Sequence, residues 1–250
     1  SKQMSNRDRF ERLAHRALRA LPATGAMIIL CVASAVPLPA SEQRVDDLVK
    51  TARSLDAEPK RGQSLFRAEC VPCHGRGALG KPKRGIPALA GQRQAYVIRQ
   101  LANFVEHDRD SDPMHQVVAR ERIKEPQAWA DLAAYLNGLP VTKNPEHGDG
   151  ALLEFGEGVF REQCASCHEE DARGDEDGFV PSLRNQHYSY LLKQMRALAE
   201  NHRRNVDPNL VLFIAKLKPD ELTGLADYLS RVSGPVKDRL KMRDNGVVGD

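Results

Sequence analysis

The 250-residue sequence has few of the residues that build a large aromatic core. Aromatic residues make up only 5% of the chain, which contains a single tryptophan. No long stretch alternates apolar and polar residues as a half-buried strand does, so the sequence predicts an all-α protein. The formal net charge is only +3, and acidic residues interrupt the segments that are rich in Lys and Arg. This pattern is typical of a solvated surface and does not indicate nucleic-acid binding.

Cysteine is also scarce, but its spacing is informative. Four of the five cysteines belong to two copies of one pentapeptide, Cys70–His74 and Cys164–His168, so no pair is left over for a disulfide. C-x-x-C-H is the attachment motif of c-type haem. Two thiols one helical turn apart can bond to the two vinyl groups of one porphyrin, and the adjacent histidine is then held under the iron as its proximal ligand.

The two motifs predict two covalently bound haem c groups. The predicted thioether residues are Cys70, Cys73, Cys164 and Cys167, and the predicted proximal ligands are His74 and His168. C-x-x-C also occurs in zinc sites and redox dithiols, which remain the alternatives. Two copies in matching contexts, behind an apparent export signal, favour haem.

Residues 1–40 have the pattern of an export signal. A basic stretch is followed by an apolar run from Ala26 to Val36 and by small-residue cleavage sites at Ala35 and Ala40. The alternative is an uncleaved membrane anchor, but three prolines shorten any continuous helix here. Cys31 lies in this run and would be lost with it. We therefore expect a periplasmic protein. Export agrees with the haem motifs, because bacteria attach haem to such motifs outside the cytoplasm.

The remaining chain contains an internal repeat, one unit for each motif. The matching residues are Gly62, Phe66, Pro87, Leu89, Gln92, Tyr96 and Gln100 in the first unit, and Gly156, Phe160, Pro181, Leu183, Gln186, Tyr190 and Gln194 in the second. The predicted domains are 41–140 and 151–235, with a linker at 141–150 and a charged tail at 236–250. Because each domain is small for a stable core, we expect the haem to contribute much of its folding free energy.

The first unit resembles the cytochrome c4 family. The resemblance is carried by Cys70–His74, then Gly75, then Ile86–Gln92, with Tyr96 and Gln100 following. The second unit, with Val180–Gln186, is a looser match. The resemblance implies two tandem class I cytochrome c domains, each wrapped around a covalent haem. It also implies His and Met as axial ligands, and proline carbonyls that orient the proximal histidines: Pro87 for His74 and Pro181 for His168.

The function that the resemblance implies is electron transfer, without catalysis, between periplasmic or membrane-bound respiratory partners. An oxidase, a dehydrogenase or a bc-type complex would be such a partner, and one of them, or an uncleaved signal, would hold the protein at the membrane. Two alternatives remain. One is an enzyme acting at an open second haem, for which His202, Arg203 and Arg204 are candidate acids or bases. The other is an electron-transfer subunit of a larger oxidoreductase. Dihaem thiosulfate dehydrogenases use a cysteine as a sixth ligand, and the mature chain has no spare cysteine.

Met114 is the predicted distal ligand of the first haem. It follows Asp112-Pro113 about forty residues after His74, where class I domains place this residue. A thioether is a soft ligand that favours Fe(II). Met114 as a gap-filling core residue and His115 as a competing ligand are the alternatives.

The second domain departs from this pattern. The position that matches Met114 is Asn209 when aligned on Asp207-Pro208, and Leu210 when aligned from the last helix. The other candidates for the sixth ligand are Met195, His202, His187 and, if the tail docks, Met242. None matches the expected position, so we expect a second iron that is five-coordinate or weakly ligated.

Charge is divided between the loops that follow the two motifs. The first loop carries Arg76, Lys81, Lys83 and Arg84, and the second carries Glu169, Glu170, Asp171, Asp175, Glu176 and Asp177, opposed by Arg173. Two solvated loops are one interpretation. Two docking faces of opposite sign, which steer different partners to the two haems, are the other.

Overall fold

The computed structural model describes residues 40–203 and 205–233. The predicted export signal, apart from Ala40, and the tail with Met242 lie outside these residues, as does Arg204. The first half contains α1 (Ala40–Arg53), α2 (Pro59–Leu65), a π-helical turn (Phe66–Cys70), α3 (Val71–His74), a 3₁₀ turn (Pro82–Arg84), α4 (Gln94–Val105), α5 (Asp112–Val118) and α6 (Pro126–Asn137). The second half contains α7 (Leu153–Val159), a π-helical turn (Phe160–Cys164), α8 (Ala165–His168), α9 (Tyr188–Ala199), α10 (Pro208–Ile214) and α11 (Pro219–Arg231).

The regular secondary structure of the described residues is helical, as the sequence predicts. Their only β-pairing consists of three isolated bridges. None of the described helices is both long enough and apolar enough to cross a membrane. The order of helix, π-turn, motif helix, long helix, short helix and closing helix occurs once in each half, and each half has its own apolar cluster. Two tandem cytochrome c folds therefore make up the described chain.

Helix α1 adds a layer to the first half. Val45, Val49 and Ala52 are buried, and their spacing of four and three residues places them on one helical face. That face packs against α4 and α6. The lead-in segment is thus part of the first core, and no matching helix precedes α7 among the residues described.

In each half, the helix that precedes the π-helical turn makes close backbone contact with the closing helix. A Cβ atom at Gly62 on α2 would collide with the carbonyl oxygen of Asp131 on α6, and one at Gly156 on α7 would collide with that of Gly224 on α11. Only glycine allows this approach. The repeated glycine in the sequence therefore marks the same helix crossing in both halves.

A buried carboxylate also ties each closing helix to the segment that precedes the haem motif. Asp131 accepts hydrogen bonds from the backbone N–H of Glu58 at 2.8 Å and from the side chain of Arg61. Asp227 accepts from the N–H groups of Gly148 (2.9 Å) and Gly150 (2.7 Å). The end of the predicted linker is therefore fixed to the second half.

The two halves meet through a hydrogen-bonded network. Arg109 donates to Tyr190 Oη at 2.8 Å and to Gln194 Oε1 at 3.0 Å. From the other side, Arg203 donates to Gln194 Oε1 at 2.8 Å and to Tyr96 Oη at 3.1 Å. Burial by itself raises the pKa of Tyr96, but the two guanidinium groups lower it by more. The interface between the halves is therefore polar at its centre.

Candidate haem sites

A π-helical turn sets up each motif. The turn Phe66–Cys70 precedes Cys73 and His74 on α3, and the turn Phe160–Cys164 precedes the second motif in the same way. Each turn begins with a phenylalanine, Phe66 or Phe160, whose side chain is completely buried. The ring of Phe66 packs on that of Tyr135, with centroids 5.6 Å apart. These turns anchor the start of the motif in the core. The first thiol of each motif is half-buried and the second is exposed.

Each motif histidine is held by the carbonyl of a proline in the following loop. His74 Nδ1 lies 3.1 Å from the carbonyl oxygen of Pro87, and His168 Nδ1 lies 3.1 Å from that of Pro181. Because a carbonyl only accepts, each Nδ1 carries a proton and each Nε2 has its lone pair available. Burial lowers the pKa of both imidazoles, and this outweighs the opposite effect of the proline carbonyls. The neutral ring is the form that ligates a metal.

A glycine closes the loop between histidine and proline. Gly80, with φ of +76°, returns its N–H to the carbonyl of His74 at 3.0 Å. A Cβ atom there would lie 2.6 Å from the carbonyl carbon of Pro87. Gly174 makes the same bond to His168, at 2.9 Å. The loop therefore needs glycine twice over, for its left-handed backbone and for the close approach.

The left-handed backbone positions repeat throughout this region. Each such residue of the first half has a counterpart 94 residues later: Gly75 and Glu169, Ala78 and Ala172, Gly80 and Gly174, Gly85 and Phe179, Gly91 and Asn185, and His107 and Asn201. Five of the six second-half residues are not glycine, although this conformation is unfavourable for other residues. The proximal side is therefore reproduced in the second half despite its looser sequence match.

The first thiol of each motif does not have the lowered pKa of a reactive thiolate. Burial raises the pKa of Cys70 to about 12, with a further contribution from Glu69. Burial also raises the pKa of Cys164 to about 11, with Cys167 contributing. Redox dithiols and zinc ligands depend on lowered thiol pKa values. The donor set, two thiols beside a histidine whose Nε2 is available, fits covalent haem c.

Met114 lies on α5, half-buried against the first apolar cluster. Its neighbour His115 points elsewhere: Nε2 lies 2.9 Å from the carbonyl oxygen of Arg109, and the ring packs at 4.2 Å from that of His107. The competing histidine is thus occupied, and Met114 stays the predicted distal ligand.

Leu210 takes the position of Met114 in the second half. Each is the third residue of a seven-residue helix, α5 or α10. Each is half-buried and followed four residues later by a buried aliphatic residue, Val118 or Ile214. Asn209, the other possibility from the sequence, is exposed. An alkyl side chain is not an iron ligand.

The structure also places the other candidates for the sixth ligand of the second iron. His187 is buried, with Nε2 2.7 Å from the carbonyl oxygen of Leu79 and Nδ1 accepting from the N–H of Glu146 at 3.2 Å. Both of its nitrogens are therefore engaged. The side chain of His202 is 72% exposed and pairs with Glu200 at 3.3 Å. Met195 is buried in the second apolar cluster on α9.

The charged loops differ in how far they are free. In the first loop, Arg76, Lys83 and Arg84 are exposed. In the second, Glu176 accepts a hydrogen bond from the N–H of Ala95 at the start of α4, and Asp177 lies 3.5 Å from Arg53. Part of the acidic loop is therefore used to bind the first half, which the sequence alone did not indicate.

Two further residues at these sites have no role assigned from the sequence. Gln92 and Gln186 appear there only as matched positions of the repeat and as the ends of the two loop segments compared with the family. Both are buried, and each binds the backbone next to the histidine-orienting proline of the opposite half. Their identical position in both units was the available signal.

Comparison with protein families supports the same division. The cytochrome c model matches residues 153–233, and the model described as cytochrome c oxidase, cbb3-type, subunit III matches residues 57–136. Cytochrome c domains carry covalent haem c, which agrees with the donor sets described above.

Three curated relatives cover much of the chain. The cbb3-type cytochrome c oxidase subunit FixP of Rhizobium etli is 32% identical over 57% of this chain and 53% of its own length. Cytochrome c4 of Stutzerimonas stutzeri is 27% identical over 70% of this chain and 88% of its own. The thiosulfate dehydrogenase electron acceptor of the same species is 29% identical over 72% and 89%. The chain thus spans about half the length of the FixP relative and most of the other two.

The fold agrees with a solved two-domain protein. The crystal structure of reduced recombinant cytochrome c4 from Pseudomonas stutzeri superposes with a TM-score of 0.61, at 24% identity, over 71% of this chain and all of that one. The shared fold, the two cytochrome c domains and the cytochrome c4 relatives agree with one another. The chain therefore contains two tandem c-type cytochrome domains and resembles cytochrome c4.

Proposed function

We propose that the protein is a periplasmic dihaem electron carrier that accepts an electron at one haem and releases it from the other. Bound haem supplies the one-electron Fe(III)/Fe(II) couple. The observation that carries the proposal is the reproduction of the histidine–proline site in both halves, at the same 3.1 Å. Two such sites in one hydrogen-bonded unit suit transfer between them.

The residues have distinct roles in this proposal. Cys70, Cys73, Cys164 and Cys167 hold the two porphyrins. His74 and Met114 would ligate the first iron, and His168 would ligate the second. Because Leu210 occupies the place that matches Met114, that helix would supply no ligand to the second iron.

The partners follow from the relatives' names and from the exposed charge. We propose a terminal oxidase or a dehydrogenase as partner, since one relative is a subunit of a cbb3-type oxidase and another is an electron acceptor for thiosulfate dehydrogenase. The exposed basic residues of the first loop suit an acidic partner surface. Contacts of this kind are small and short-lived.

A second function is favoured by one observation, the aliphatic residue at the second distal position. An open iron could bind and turn over a small ligand. Catalysis on peroxide would also need an acid or base above the iron. The structure places His202 on the surface with Glu200, and Arg203 in the interface with Tyr96 and Gln194. Neither supports the enzyme hypothesis.

Stopped-flow oxidation tests the electron-carrier proposal. Reduced dihaem protein is mixed with a purified cbb3-type oxidase and oxygen, and haem absorbance is followed. We expect both haems to be oxidised many times faster than in oxygen alone, with a rate that falls as salt is added. Slow oxidation by the oxidase, combined with rapid turnover of peroxide or nitric oxide by the protein alone, would favour the enzyme instead.

A further inference from the structure

One peptide group in the first half binds side chains from both halves. The carbonyl of Pro87 accepts from His74 Nδ1 at 3.1 Å, and the N–H of Ala88 donates to Gln186 Oε1 at 2.9 Å. This carbonyl and this N–H belong to the same planar unit, whose C–N bond has partial double-bond character. The imidazole of one half is therefore joined to an amide of the other through a single conjugated group.

The second half repeats the arrangement in the opposite direction. The carbonyl of Pro181 accepts from His168 Nδ1 at 3.1 Å, and the N–H of Ser182 donates to Gln92 Oε1 at 2.8 Å. Each proximal histidine is thus linked, through one peptide, to a glutamine of the opposite half.

Each glutamine binds the backbone of one residue in the opposite half through both the oxygen and the nitrogen of its amide. Gln186 Nε2 donates to the carbonyl of Ala88 at 2.8 Å, and Gln92 Nε2 donates to that of Ser182 at 3.0 Å. The backbone of one residue offers one donor and one acceptor, so the orientation of each amide is fixed. Gln186 is 6% exposed and Gln92 is 9% exposed, so water does not compete strongly for these bonds.

Hydrogen bonds arranged in a chain polarise one another, and the effect is strong in a buried site. A peptide whose N–H is bonded has a more negative carbonyl oxygen, which accepts more strongly from the imidazole Nδ1–H. Such a bond raises the basicity of the ring as a metal ligand. A more basic ligand stabilises Fe(III) and lowers the reduction potential.

We propose that Gln186 and Gln92 are positioning residues, each of which acts on the proximal histidine of the opposite half. Gln186, in the second half, tunes the haem bound at His74, and Gln92, in the first half, tunes the haem bound at His168. The potential of each haem then depends on contact with the other domain. This inference rests on the proposed axial roles of His74 and His168.

The test uses the dihaem holoprotein and the variants Gln186→Leu and Gln92→Leu. Redox titration followed at the separate haem-methyl NMR signals gives the midpoint of each haem. The Nδ1 proton signals of the two histidines are read in the reduced protein under carbon monoxide. The control is Ser189→Ala, which removes another hydrogen bond between the halves, to the carbonyl of Pro82 at 3.0 Å, without touching either peptide group.

The crossed arrangement predicts a crossed result. Gln186→Leu should raise the midpoint at His74 and move the Nδ1 proton signal of that ring upfield, with a smaller change at His168. Gln92→Leu should do the reverse, and Ser189→Ala should shift neither midpoint. A merely structural role would give equal shifts at both haems, or the larger shift in the glutamine's own half.

Equal, uncrossed or absent shifts would overturn the inference. If a leucine variant loses a haem, Gln186→Asn and Gln92→Asn are measured in the same way, because they keep the amide but shorten it by one methylene. Wild-type protein without two sets of haem signals would overturn the proposed function itself, so the two failures are distinguishable.

Discussion

The two halves of this chain share their proximal sides and differ at their distal sides. Both histidines lie 3.1 Å from a proline carbonyl, and all six left-handed positions of the first half recur in the second. On the other side, Met114 is matched by Leu210 at the same position of an equivalent helix. The proximal side requires two thiols, a histidine and a closed loop to be placed together. The distal side requires one side chain, so a single substitution changes it without disturbing the fold.

The largest expected effect concerns haem attachment. Replacing both cysteines of one motif, as in Cys70→Ala with Cys73→Ala, should reduce the intact mass by one haem and unfold most of that half, because the haem fills much of its core. The matching pair Cys164→Ala and Cys167→Ala should do the same to the other half. Mass spectrometry and circular dichroism measure both. A wild-type protein with a single haem would contradict the prediction that each motif holds one covalent haem.

Exchanging the two distal residues should exchange the properties of the two haems. Met114→Leu should abolish the thioether-to-iron charge-transfer band and lower the potential of the first haem, because the soft ligand that stabilises Fe(II) is lost. Leu210→Met should add a second such band. The absorption spectrum of the oxidised protein is the measurement, with Met195→Leu as the control. A band that survives in Met114→Leu would assign the ligand elsewhere.

The buried carboxylates should make both halves sensitive to acid. Burial by itself raises the pKa of Asp131 and of Asp227. Hydrogen bonds outweigh this effect and lower each pKa below its ordinary value, and the largest contributions come from Arg61 to Asp131 and from Arg231 to Asp227. A lowered folded pKa gives stability above the unfolded value of about 3.9, and this stability is lost as pH falls through the folded pKa.

We therefore expect Asp131→Asn or Asp227→Asn to cost about 2–3 kcal/mol at pH 7 and less below pH 4. Denaturant unfolding at several pH values measures this. An equal cost at pH 7 and at pH 3 would mean that the carboxylate charge is not what stabilises these helices.

The smallest expected effect concerns the charged loops. Reversing Arg76, Lys83 and Arg84 should slow association with an acidic partner several-fold at low salt, with little change near 1 M salt, where the screening length is about 3 Å. Reversing Glu169 and Glu170 is the matched change in the second loop and should leave that partner's rate nearly unaltered. Equal effects from both sets would show that the loops are not separate docking faces.

The sequence predicted the parts of the fold that are repeated and chemically specific. The motifs, the repeated glycines and the all-α class could be found because their chemistry restricts which residues are allowed, and the orienting prolines were implied by the family resemblance. Asn209 and Leu210 could not be separated, because the turn before α10 differs in length from that before α5, and only the exposed and buried faces of the helix fix the alignment.

Contacts between the halves were also beyond sequence reasoning. The roles of Gln92, Gln186 and Glu176 depend on which surfaces meet, and amide or carboxylate side chains carry no signal of a distant partner. His187 looked like a free ligand in the sequence because the carbonyl of Leu79 that engages it is more than 100 positions away in the chain.

The central claim is that the iron of the first haem is six-coordinate and the iron of the second haem is five-coordinate. Titration of the fully reduced protein with carbon monoxide, followed by the Soret absorbance, tests it most directly. The account predicts rapid binding to one of the two haems, at His168, while the haem with Met114 resists. Absence of binding would mean that the second iron has a sixth ligand after all. Rapid binding to both haems would mean that Met114 is not a ligand, and either result would contradict the account.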